Sequence, residues 1–157
     1  EHCLQWAREH CFEGYFVKHP EVTNAFLEQS DYLTSVSQNL KLPTLEILES
    51  CILERQHDFK ECIVWARLEF EKLFNWKHKQ LLYNFPVDFI DSRGAPFWSG
   101  SKRPPKIVEF DAKNQLHAKF VVSATFLRAF TLNIIDSEHK PSEFNSQIHA
   151  IAEAASQ

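Results

Sequence analysis

The chain holds only three glycines, and two of them, Gly94 and Gly100, bracket the run Ala95-Pro96-Phe97-Trp98-Ser99, with Lys102-Arg103-Pro104-Pro105 close behind. Glycine reaches positive φ without the strain other residues meet, and proline fixes φ while removing a backbone donor. A segment so rich in both cannot continue a helix. It predicts one long, ordered, non-helical loop over 84–106. Burial favours aromatic rings and penalises cations, so Pro96, Phe97 and Trp98 are expected to pack inward as a wedge while Lys102 and Arg103 point out.

Outside that loop the apolar residues recur with helical period. Cys3, Leu4, Ala7, Cys11 and Tyr15 make one apolar stripe, and Cys62, Ile63, Ala66, Phe70, Leu73 and Phe74 make another. Asp58-Phe59-Lys60-Glu61 reads as a capping box that starts the second helix. Pro20 is expected to end the first. Shorter helical patterns lie at 22–28 and 31–40, with another at 44–53 after the Pro43 break. Residues 116–132 are apolar on most sides, which marks a centrally packed helix. Phe144, Ile148 and Ile151 recur in a final amphipathic segment after Pro141. The fold class expected is all-α, with residues 1–135 as the main domain and 136–157 as a C-terminal segment carrying an amphipathic helix. Trp65 is expected to be substantially buried.

A chain of 157 residues can bury about two thirds of its unfolded surface without staples. Its formal charge of −4 and pI near 6.1 speak against a strongly nucleic-acid-binding surface. The four cysteines, Cys3, Cys11, Cys51 and Cys62, match neither zinc pairs nor a compact disulfide framework, and read as buried or half-buried reduced thiols of a cytoplasmic or nuclear protein. No apolar run approaches the roughly 18 residues of a membrane span. The chain opens Glu-His-Cys-Leu-Gln and has no methionine, so it reads as a piece of something longer.

Two segments echo each other within the chain. Trp6-Ala7-Arg8 leads to Phe12 and Phe16, Trp65-Ala66-Arg67 leads to Phe70 and Phe74, and each tryptophan follows a cysteine by three residues. Together with Leu81-Leu82-x-Asn84-Phe85-Pro86-x-Asp88, Gly94-Ala95-Pro96-Phe97-Trp98-Ser99-Gly100-x-Lys102-Arg103-x-Pro105 and Phe110-Asp111-x-x-Asn114-x-Leu116-His117, this pattern resembles the second catalytic-cysteine half-domain of the ubiquitin-activating enzymes, from His2 to about Leu132. The chain departs from the family pattern in three places, one of them the tail after Ile135, which resembles no part of that pattern. The first helix has one residue more between Arg8 and Phe12, a shift of about 100° that a π-bulge near His10 would absorb. Gln115 stands in place of a proline.

The resemblance implies a scaffold that supports a cysteine able to take ubiquitin as a thioester and pass it to a ubiquitin-conjugating enzyme. It places that cysteine upstream of Glu1, so no catalytic residue is expected in this chain. ATP and Mg belong, by the same resemblance, to the adenylation domain of the parent enzyme, and neither phosphate-binding glycine motif occurs here. Ubiquitin or a ubiquitin-like protein, the conjugating enzyme and the adenylation domain are the implied partners. Asn84, Pro86, Pro96, Phe97 and Trp98 are the structural motif of the loop. Lys102 and Arg103 are its candidate binding residues. Packing accounts for Cys3 and Cys62, and Cys11 beside His10 is a weak rival because adjacent helical residues do not face each other. Eight histidines show no ligand spacing, so no metal is expected. His117 is expected to make a structural hydrogen bond. The rival readings are a non-catalytic helical interaction domain and a nucleic-acid-binding module built on Trp98, Lys102 and Arg103.

Overall fold

The computed structural model describes residues 1–38, 42–136 and 141–154, with no account of the side chains at 141, 143 and 144. Helices dominate: α1 (His2–Trp6), α2 (His19–Glu28), α3 (Tyr32–Gln38), α4 (Leu42–Leu48), α5 (Phe59–Glu71), α6 (Lys77–Asn84), α7 (Gln115–Thr131) and α8 (Pro141–Ala154). Among the described residues the sole β pairing is one isolated antiparallel bridge, Ile90 with Pro96. The all-α expectation holds. Two compact units form, the first from Glu1–Phe59 and Leu127–Asp136, the second from Lys60–Phe126 with the C-terminal segment.

In the first unit the helix does absorb its extra residue as a π turn. Ala7–Phe12 is π-helical around His10, and a second π segment, Gly14–Lys18, follows. Bonds from i to i+5 bring residues five apart onto one side. Arg8 Nε accordingly reaches Glu13 Oε1 at 2.7 Å. Pro20 does not end this helix, contrary to expectation. It sits in the first turn of α2, straight after the π segment. The wide turn before it leaves room for the ring, and the missing N–H falls where the bonding register is already changing. Thr23 Oγ1 donates to His19 O at 2.8 Å, one more bond at this junction.

The apolar stripe of Cys3, Leu4 and Ala7 is not a buried face: these residues are exposed, and Cys11 and Tyr15 are half-buried. Periodicity shows that a stripe exists, whereas burial also needs a surface to cover it. Cys3 and Cys62, equivalent in the sequence echo, thus differ: Cys3 is exposed and Cys62 is fully buried. Pro43 lies in the first turn of α4, where its lost donor costs nothing. The π segment Glu49–Leu53 follows and buries Cys51.

The second unit centres on α5, which begins at Phe59 with Asp58 just before it, as the capping pattern required. Cys62, Ile63, Ala66 and Phe70 are buried, with Val121 and Ala124 of α7 and Ile148 and Ala152 of α8. Trp65, expected to be substantially buried, keeps an intermediate exposure, less closed off than Phe70 at 2%. Phe70 takes the central place instead. Its ring lies 4.9 Å from Phe74, 5.2 Å from Phe110, 4.8 Å from His117 and 5.7 Å from Phe120. Arg67 pairs with Glu71 at 2.6 Å and stands 4.1 Å over the Phe110 ring. His117 Nδ1 accepts from the Asp111 backbone N–H at 3.1 Å, the structural bond expected of it. In the final stripe Ile148 is buried and Ile151 half-buried, while the side chain of Phe144 lies outside the described residues.

Candidate functional site

α6 ends at Asn84, and helix does not resume until Gln115. The loop between is held by its own backbone and rings. Phe89 N donates to Pro86 O, Asp91 N to Ala95 O and Phe97 N to Phe89 O, at 2.8 to 2.9 Å. These bonds fold 86–97 into a tight two-legged turn with Gly94 at its tip. Gly94 has φ of +80° and Gly100 +61°, the left-handed conformations for which glycine was expected.

Asp91 is the polar centre of that turn. Its Oδ1 accepts from Arg93 N at 2.9 Å and Ala95 N at 3.0 Å, and its Oδ2 lies 3.2 Å from Arg93 Nη2. The Ala95 and Arg93 backbone N–H bonds hold its carboxyl below the usual carboxylate range, with smaller help from the Arg93 side chain and the Lys102 charge, against partial burial. Sequence reasoning counted Asp91 only among the acidic residues around Lys102 and Arg103 and assigned it no site role. Its signal was Asp followed three residues later by Gly, a turn in which the side chain bonds the backbone ahead of it.

The aromatic part is a stack. Phe85 and Phe97 lie face to face at 4.4 Å and 10°, with Phe89 edge-on to Phe85 at 5.4 Å and Trp98 edge-on to Phe97 at 4.9 Å. Trp98 Nε1 donates to both Phe85 O at 2.9 Å and Pro86 O at 3.0 Å, tying the two ends of the turn together. Phe97 and Trp98 are half-buried. Pro96, expected to pack inward with them, is exposed, because its place in the bridge with Ile90 puts it on the outer edge.

Lys102 and Arg103 both lie on the surface. Lys102 is nevertheless fixed, with its Nζ 4.9 Å from the centre of the Phe97 ring. Asn84 and Pro86 are exposed at the loop's entry, where Pro86 contributes its carbonyl rather than its ring. The structure therefore brings Pro86, Phe97, Trp98 and Lys102 into one assembly and leaves Arg103 on its rim. Among the described residues, no group of His, Cys, Asp or Glu is arranged to hold a metal ion, and no helix is long and apolar enough to cross a membrane. None of the four cysteines forms a disulfide, and Cys51 and Cys62 are buried.

This loop, the echoed Trp-Ala-Arg helices and the His117 bond reproduce the expected half-domain, and residues 1–157 match the family model described as the SCCH domain of the ubiquitin-activating enzyme. The chain belongs to that family. A ubiquitin-like modifier-activating enzyme 1 of Dictyostelium discoideum is 45% identical over 137 residues, 85% of this chain and 13% of that protein. A ubiquitin-activating enzyme E1 1 of Candida albicans is 39% identical over 153 residues, 96% of this chain and 15% of that one. The human ubiquitin-like modifier-activating enzyme 1 is 37% identical over 144 residues, covering 89% and 14%. This SCCH domain thus spans about one seventh of the length of these curated relatives. The match does not favour the interaction-module and nucleic-acid readings.

Proposed function

We propose that this SCCH domain is the scaffold half of a thioester-forming site. It supports a cysteine outside its own four, on which ubiquitin or a ubiquitin-like protein is carried before transfer to a ubiquitin-conjugating enzyme. The observation that carries the reading is the family match over the whole chain. The burial of two thiols supports the part concerning cysteines. A nucleophile must meet an activated acyl group and then a second thiol. Cys51 and Cys62, at 5% and 0% exposure, offer neither approach. The ring of His10, the rival base for Cys11, stacks on Trp6 at 5.8 Å.

The same reading assigns ATP and Mg to an adenylation domain, in the cytoplasm and nucleus where cysteines outside any disulfide stay reduced. Lys102, set over the Phe97 ring, and Arg103, exposed beside it, are the residues it offers to the adenylation domain or the modifier. The test transplants this SCCH domain into a longer ubiquitin-activating enzyme in place of its own. Ubiquitin thioester should form with ATP and Mg and persist when Cys3, Cys11, Cys51 or Cys62 is changed singly to serine. Loss of the reductant-sensitive adduct from one such change in a folded enzyme would give that cysteine the role. The chain alone, incubated with ubiquitin, ATP and Mg, should show no adduct.

A further inference from the structure

We propose that an apolar groove of about 240 Å³ in the first unit docks a basic amphipathic helix of a partner protein. The groove runs between α2, α3, α4 and the π segment Glu49–Leu53. Phe26, Leu33, Leu45, Leu48, Ile52 and Leu53 line it, and Glu49 is the one polar residue among the described ones that do. Leu33, Ile52 and Leu53 are 48%, 37% and 79% exposed, so the apolar surface continues from the groove onto its rim. The volume falls short of the roughly 300–1,000 Å³ of small-molecule sites and suits anchoring side chains instead.

The lining chemistry selects the backbone of the occupant. A chain laid over carbon atoms finds no partners there for its N–H and C=O groups, and unpaired buried backbone is costly. An extended segment would need a sheet edge to pair with. The sole β pairing among the described residues, Ile90 with Pro96, belongs to the second unit. A helix satisfies its own backbone and can set a stripe of side chains at i, i+3, i+4 and i+7 into the groove.

Charge selects the polar face of that helix. Glu21, Glu28, Asp31, Glu46, Glu49 and Glu54 stand exposed on or beside the elements that frame the groove. Six of the chain's 21 carboxylates thus fall within residues 20–54, against one of its 17 lysines and arginines, Lys41, which lies outside the described residues. Elsewhere the two signs nearly balance, so the net charge of −4 is concentrated on the segment that builds this groove. Lysine or arginine flanking the occupant's apolar stripe answers that field, resting its stem on the exposed leucines while its charge reaches the carboxylates. A second copy of this chain would bring like charges together, and an anionic membrane surface would be repelled for the same reason.

The inference is independent of the thioester reading. Its test is fluorescence anisotropy of the full chain with a labelled leucine–lysine peptide of about 14 residues, about four turns of helix, whose leucines follow that spacing. Its glutamate counterpart and a shuffled peptide of the same composition run in parallel at constant ionic strength. The leucine–lysine helix should bind at least about tenfold tighter than either. Leu53→Ser should weaken it about tenfold, the loss of one buried leucine contact, and Glu49→Lys at least about threefold. Both side chains are on the surface, so these variants fold and keep the test readable. Glu109→Lys, exposed in the second unit, should leave affinity unchanged. No saturable binding, equal binding of the three peptides, or an equal loss in Glu109→Lys and Glu49→Lys would overturn the proposal. A dimer of the chain that Leu53→Ser dissolves in sedimentation would give the groove to a second copy and overturn it too. So would a longer ubiquitin-activating enzyme that carries this SCCH domain and does not bind the peptide, since its own chain would then cover the groove.

Discussion

Trp98 closes its loop with one N–H shared between two carbonyls, Phe85 O and Pro86 O. Replacing it with phenylalanine keeps most of the ring contact and removes that donor. Trp98→Phe should cost about 1 kcal/mol in urea unfolding, the net worth of one such bond. Gly94 and Gly100 test a different term. A Cβ at either would meet nothing within 4 Å, so only the positive φ opposes it. Gly94→Ala should therefore cost about 1–2 kcal/mol through backbone strain alone, with no repacking of Phe97. Asp91 gives the loop a pH dependence. Its folded carboxyl is held below the ordinary value of 3.8, so the stabilisation is present above that value and is lost as pH falls through the lower folded one. The Arg93 and Ala95 amide resonances should stay fixed from neutral pH down to about the ordinary carboxylate range and move only below it. Asp91→Asn should remove that acid transition. A transition unchanged in the variant would assign it to another carboxylate.

At the scale of elements, α5 carries its buried face on Cys62, Ile63, Ala66 and Phe70, and Phe70 is the residue from which four rings radiate. Phe70→Ala should cost about 3–5 kcal/mol, the range for emptying a close-packed aromatic site. Trp65→Ala should cost less, because Trp65 keeps part of its surface in solvent whereas Phe70 is 2% exposed. The two thermal midpoints in parallel check the ordering. If Trp65→Ala proved the more damaging, the centre of this core would lie elsewhere. The π segments have a related logic. Both Arg8–Glu13 at i,i+5 and the passage of the helix through Pro20 follow from widened turns, and the sequence announced only the first of these, through its one extra residue.

For the whole molecule, the loop presents two surface cations, Lys102 and Arg103, whose contributions to stability and function can be separated. In a longer ubiquitin-activating enzyme carrying this SCCH domain, reversing Lys102 and Arg103 to glutamate should cost about 1 kcal/mol or less in stability, mainly the lost contact of Lys102 with Phe97. Thioester formation or transfer should nonetheless fall. Unchanged rates in both steps would reduce the pair to a solubilising surface. The sequence by itself determined the all-α class, the place of the long loop, the positive-φ glycines, the start of α5 and the π turn near His10. Each of those rests on local chemistry, namely backbone sterics, capping and a count of residues per turn. Only the tertiary structure decided that Cys3 is exposed while its counterpart Cys62 is buried, that Pro96 faces outward, that Phe70 rather than Trp65 is central, and that Phe26 and Leu53 meet at one groove 27 residues apart in sequence. Burial and convergence depend on what covers a surface, and a periodic stripe records only that a surface is there to be covered.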